Sequence, residues 1–251
     1  MPTPVQHLVL AQRLLKDTTL PNALRDRLQE QRGAFLFGNT APDVQTVSHQ
    51  AREVTHFFVI PWARPPLPHR ALFELHPLLG QAKSLAPAHA AFIAGYICHL
   101  WLDVLWIRDI YLNSFGPRVH WGKNLHEQHI YHNILRAWCD RTDQPQLDAS
   151  TGAALAAAQP HAWLPFTADR YIAQWRDELV AQFQPDSHIR TVEVFAARGG
   201  LSQQEFQYIL NSPVELERHV FAHAAPEKIE RFYRDGYEQM ADLIVEYFRA
   251  A

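Results

Sequence analysis

The sequence predicts an all-α fold, a multi-helix single domain over residues 1–251 built around a central buried helix at about 87–112. Three observations predict it. Apolar residues recur at helical spacing in segment after segment. The run over 87–112 is apolar nearly all the way round, as in a helix enclosed by others. Prolines and turn formers sit between or at the starts of these segments.

In chain order, residues 5–15 are amphipathic, with Leu8, Leu14 and Leu15 facing a core and Gln12 and Arg13 facing outward. Pro21 and Asn22 start a second helix that runs to about Glu30 and ends before Gly33. Residues 33–47 hold Gly38-Asn39-Thr40-Ala41-Pro42-Asp43, rich in turn formers, and read as a loop or a short helical turn. Four prolines in 61–68 exclude regular helix there. The central helix carries Phe92, Ile93, Tyr96, Ile97, Leu100, Trp101, Leu102, Leu105 and Trp106. Further helices are predicted over 124–138, 148–158, 167–183, 203–210 and 226–248, the last opened by Pro226 at a first-turn position. Residues 189–195 alternate weakly and suggest a short strand. No internal repeat is visible, and the Ala-rich run 153–158 is simply good helix former.

Composition narrows the function. With 47% hydrophobic and 20% charged residues the chain is a folded one, neither disordered nor fibrous. A net charge of −3 leaves no basic footprint, so stable nucleic-acid binding is not expected. Two cysteines, Cys98 and Cys139, make no disulfide framework. The first residues lack the basic region of a signal peptide, and no window of about 18 apolar residues suggests a transmembrane helix, so a cytoplasmic, soluble protein is expected. The informative excess is histidine. Of 15, eleven lie in the first 132 residues, which directs the search for chemistry to that half.

His99 and Asp103 are the strongest pair there. Four residues apart on a helix, they project from one face at a spacing that one ion bridges. Burying an aspartate in so apolar a helix costs several kcal/mol unless a cation or hydrogen-bond donors compensate. An ordinary buried His–Asp hydrogen bond would satisfy the same two residues. Asp43 after Ala41-Pro42, and His56 in Thr55-His56-Phe57-Phe58, add a loop carboxylate and a second imidazole. Two imidazoles and two carboxylates suit a borderline ion such as zinc.

The order His7, then Gly38-x-x-Ala-Pro-Asp43, then Thr55-His56-Phe57, then Gly95-Tyr96-x-x-His99-x-x-x-Asp103 resembles the zinc-dependent phospholipase C family, whose all-helical fold is shared with the fungal single-strand nucleases. The resemblance covers roughly residues 1–140; residues 141–251 carry no readable motif. It implies that Asp43, His56, His99 and Asp103 hold one zinc, and that His7 and a bridging Asp103 hold a second. The amino-terminal residue is a further ligand in secreted members of the family. Here removal of Met1 would expose the amine of Pro2, which can ligate when neutral.

A third metal is where the sequence departs from that pattern. The family's histidine six residues after the bridging aspartate is replaced by Asp109, and in place of His-x-x-x-Glu or His-x-x-x-Asp the next helix has His132 followed by Arg136. Pairs at i,i+3, His126 with His129 or His129 with His132, could ligate together with Asp109 or His120; otherwise they are a polar helix face lining a cleft or solvent. Arg136 could hold a phosphate through a bidentate contact.

The activity so implied is zinc-dependent phosphoester hydrolysis. Two zincs sharing Asp103 would lower the pKa of a shared water towards about 7, and the resulting hydroxide would attack phosphorus. Asp43 is the carboxylate expected to accept a proton or orient the water. The substrate would be a phosphoester, phospholipid included, with Phe57, Phe58, Trp62, Trp106 and Trp121 as candidate apolar contacts for acyl chains. Two alternatives are a hydrolase of soluble phosphoesters or nucleotides on the same fold, and a non-catalytic metal-binding member. Cys98 reads as a packed thiol, and His161, His188, His219 and His223 show no ligand spacing.

Overall fold

A computed structural model describes residues 1–60, 67–184 and 187–249. Trp62 therefore lies outside the described residues. The fold is all-α, with no strand among the described residues.

The helices in order are α1 (Pro4–Leu15), α2 (Asn22–Glu30), α3 (Arg32–Gly38), α4 (Gln45–Ser48), α5 (Arg52–His56), α6 (Pro68–Leu75), α7 (Pro87–Trp106), α8 (Leu112–Ser114), α9 (Leu125–Asp143), α10 (Thr151–Ala157), α11 (Asp169–Gln182), α12 (Thr191–Gly199), α13 (Gln203–Asn211), α14 (Pro213–Leu216) and α15 (Pro226–Arg249). A 3-10 turn, Ala41–Val44, links α3 to α4, and a π-helical turn, Ile107–Tyr111, extends α7 into α8.

α7 is the axis. Its apolar residues are buried on every side, Phe92, Tyr96, Leu100 and Trp106 completely, beneath α1, α3, α6 and α15. By length and composition the stretch Pro87–Ser114 could cross a membrane, which corrects the expectation that no such window exists; 94% of its apolar 18-residue window is buried inside the fold. α15 keeps Ile229, Phe232, Gly236, Met240, Ile244 and Tyr247 on one side, the i, i+3, i+4 pattern of a helix laid on a core.

Three expectations change. Residues 33–47 are not mainly loop, because Arg32–Gly38 is a helix with Ala34, Phe35, Leu36 and Phe37 buried. Its glycines mark close approach. At Gly38 and Gly95 a β-carbon would run into the carbonyls of Phe92 and Phe35 respectively, so α3 and α7 cross with their backbones in contact. Residues 189–195 are not a strand: α12 begins at Thr191, buries Phe195, Ala196 and Gly199 at helical spacing, and stops at Gly200 in the left-handed region (φ 66°). The helix expected over 148–158 starts only at Thr151.

Candidate metal centre

The crossing of α3 and α7 positions the site. The chain leaves α3 at Asn39 and turns through Ala41–Val44, where Pro42 fixes the approach of Asp43. Trp175 on α11 donates from Nε1 to the Thr40 carbonyl at 2.8 Å and holds this turn from outside. On α5, Arg52 and His56 are four residues apart and share a face. Tyr96 on α7 donates to the Thr55 carbonyl at 2.6 Å and ties α5 to the axis.

Five residues from four segments converge. His7 Nε2 is 3.6 Å from Asp103 Oδ1; His56 Nε2 is 3.6 Å from Asp43 Oδ1 and 3.4 Å from Asp103 Oδ2; His99 Nε2 is 3.7 Å from Asp103 Oδ2. The rings of His7 and His99 stack with centroids 3.9 Å apart. His7, His56, His99 and Asp103 are fully buried, whereas Asp43 retains 19% exposure. Two trios, His7–His99–Asp103 and Asp43–His56–His99, each bring ligand atoms within 4.8 Å of one another and could hold a metal ion.

The donor set fits a cation. Each of these imidazoles has an Nε2 that is shut off from solvent without a hydrogen-bond partner, as does Oδ1 of Asp103. Buried polar atoms are normally satisfied, so four orphans gathered across these two overlapping trios ask for something between them. The outer nitrogens are partly fixed: His99 Nδ1 faces the Asn39 carbonyl at 2.9 Å, and His56 Nδ1 faces Thr55 Oγ1 at 2.9 Å. The carbonyl contact makes His99 Nδ1 the N–H and leaves Nε2 as the lone pair, the outer-shell arrangement of ligating histidines.

The electrostatics agree. Burial, helped by the neighbouring His99, pushes the His7 imidazole down to about 4; burial, helped by Arg52, does the same to His56. Both rings are therefore neutral near pH 7, the form that binds metal. Burial opposes charge on Asp43 and Asp103, yet the neighbouring imidazoles, and for Asp103 also Arg52, hold both carboxyls below the usual range.

Arg52 was not anticipated from the sequence. Its Nη2 reaches Asp103 Oδ2 at 2.5 Å, and its guanidinium lies over Phe58, 4.6 Å from the ring centroid. Its i,i+4 spacing from His56 is the signal that could have found it.

The other candidates lie elsewhere. Pro2 is buried near the centre, but with Met1 attached its nitrogen is a tertiary amide and cannot ligate; the amine facing the charges of Arg136, Asp103 and Asp43 is that of Met1. Asp109 pairs with Arg108 at 2.6 Å on the surface. His120 and His126 are exposed, His129 meets the Tyr111 hydroxyl at 2.9 Å, and His132 Nε2 accepts from Trp106 Nε1 at 2.8 Å. None of these histidines belongs to either trio. His126, His129, His132 and Arg136 do line one cavity of about 330 Å3, and Arg136 also lines a second of about 270 Å3 that reaches Asp43.

Of the aromatic residues expected to meet acyl chains, the four described ones, Phe57, Phe58, Trp106 and Trp121, do not line either cavity. Trp106 is core, edge-on to Phe232; Phe58 packs with Val104 and Ile107; Trp121 stacks on His223; Phe57 packs on Phe166. Cys98 is a buried thiol pushed up by its surroundings. No family model matches the chain, and no curated protein or solved structure matches it.

Proposed function

We propose that this chain is a zinc-dependent phosphoester hydrolase similar to phospholipase C, with His7, Asp43, His56, His99 and Asp103 as its metal ligands. The observation that carries the reading is the set of unpartnered imidazole nitrogens around two carboxylates in the core. Three imidazoles and two carboxylates match zinc in softness and number. The resemblance implies two ions. His99 belongs to both trios and has one free nitrogen, so a second ion would depend on Asp103 as a bridge and on the Met1 amine.

When bound, zinc would supply Lewis acidity and activate a water at neutral pH. The chain's own groups do the rest. Asp43 is the ligand with access to a cavity, so it is the carboxylate that accepts a proton from the attacking water or orients it. Arg136, at the junction of both cavities, holds non-bridging oxygens of the phosphoryl group through its planar fork. The small volumes of both cavities, about 330 and 270 Å3, favour the reading in which the substrate is a compact, soluble phosphoester over one with acyl chains. The Arg52–Asp103 pair favours a second reading, a non-catalytic metal-binding member in which a guanidinium takes the place of one of two ions.

Zinc-loaded chain should hydrolyse at least one of bis(4-nitrophenyl) phosphate, a choline phospholipid, a mononucleotide and single-stranded nucleic acid. Asp43→Asn should lose that turnover. Full zinc occupancy with no turnover on any of the four would leave only the non-catalytic reading.

A further inference from the structure

Arg136 on α9 and Arg198 on α12 stand against the same ring. Their guanidinium carbons lie 4.2 and 5.9 Å from the centroid of Phe195. Among the described residues neither forms an ion pair. Arg136 donates from Nη1 to Asn133 Oδ1 at 3.2 Å, and its Nε is enclosed with no partner at all. The nearby carboxylate of Asp140 is already engaged by the hydroxyls of Thr3 and Thr191. Burial and the charge of Arg198 push Arg136 down to about 10. Two cations held on one ring, one of them half-buried, are costly unless an anion joins them.

Space for that anion exists. Arg136, Arg198 and Met1 line both cavities, one running past His129 and His132 and the other running to Asp43. Each volume is small for a ligand site, of a size for a compact group rather than a chain. Glu178, the acidic residue on this wall besides Asp43, is exposed at the rim.

The geometry points to Arg198 as the second arm of an anion subsite shared with Arg136, adjoining the candidate metal centre, the two together binding a terminal phosphate of a small soluble substrate. A guanidinium fork matches phosphate oxygens in shape and charge, and two of them suit a dianion better than a monoanionic diester. A substrate with a cationic head group would instead bring like charge against both arginines. The statement about substrate rests on the hydrolase reading; the anion subsite does not.

The test is calorimetry on the full chain, zinc-loaded and after treatment with a chelator, with inorganic pyrophosphate and phosphocholine as probes. Pyrophosphate should bind at least about tenfold more tightly than phosphocholine in both preparations, and Arg198→Ala should weaken it about tenfold or more. Arg198 is exposed, so its removal does not endanger the fold. Equal pyrophosphate affinity in wild type and Arg198→Ala would overturn the subsite. So would binding confined to the zinc-loaded chain, since the anion would then sit on the metal. Turnover of the four hydrolase substrates named above is read separately on the same zinc-loaded sample; its absence on all four removes the hydrolase reading and leaves the pyrophosphate result standing.

Discussion

Arg52 Nη2 lies 2.5 Å from Asp103 Oδ2, so the carboxylate at the middle of the imidazole cluster already has one cation. Asp103 is 1% exposed and Arg52 17%. Removing one partner of so buried a pair leaves the other uncompensated, at about 3 kcal/mol. Arg52→Met should therefore destabilise the metal-free chain by about that amount in denaturant unfolding. Zinc should restore the loss, since the ion then faces no competitor for Oδ2. Failure of zinc to recover any stability in Arg52→Met would contradict a metal position at Asp103.

The contact between α3 and α7 gives a second test. A β-carbon at Gly95 would meet the Asn39 amide nitrogen at 2.8 Å as well as the Phe35 carbonyl, and Asn39 supplies the oxygen that faces His99 Nδ1. Gly95→Ala should cost about 3 kcal/mol through overpacking and should also weaken zinc binding. Gly200→Ala is the comparison. It is strained only by its φ of 66°, with open space around it, and should cost about 1 kcal/mol without touching zinc affinity. Equal zinc affinities in the two variants would separate the helix crossing from the site.

Asp140 supplies a pH dependence away from the proposed metal ligands. Burial raises its carboxyl from 3.8 to about 7, against the pull of the Thr191 and Thr3 hydroxyls. Between those values the folded chain keeps a proton that the unfolded chain releases. The contribution of Asp140 to stability is thus complete below about pH 4 and fades as pH rises through about 7. Asp140→Asn never ionises, so it should gain on the wild type by on the order of 2 kcal/mol between about pH 5 and about pH 7. Denaturant unfolding of both chains at the two pH values measures this. A difference that does not change with pH would contradict the raised carboxyl.

The long helices were legible because each buries a broad apolar stripe, as α15 does from Ile229 to Tyr247. The segments misread were those where a side chain's local preference and its tertiary use conflict. Gly33 and Gly38 look like turn residues but sit in a helix because other backbones press against them. Val192 and Val194 look like strand residues but ride on a helix whose buried face is Phe195, Ala196 and Gly199. At the site, spacing along α7 pairs His99 with Asp103, while the approach of His7, Asp43 and His56 depends on how helices cross. The contacts of Arg52 with Asp103 and of the Asn39 carbonyl with His99 went unnoticed because each joins residues distant in sequence.

His99 is shared by both trios through a single free nitrogen, which makes it the most direct place to test the metal centre. Native mass spectrometry of the chain loaded with zinc should find at least one ion per chain, and His99→Ala should reduce this to well under one. His7→Ala and His56→Ala, which each break one trio, should lose less. Absence of bound zinc in the wild type, or full occupancy in His99→Ala, would contradict the assignment of these five residues to a metal.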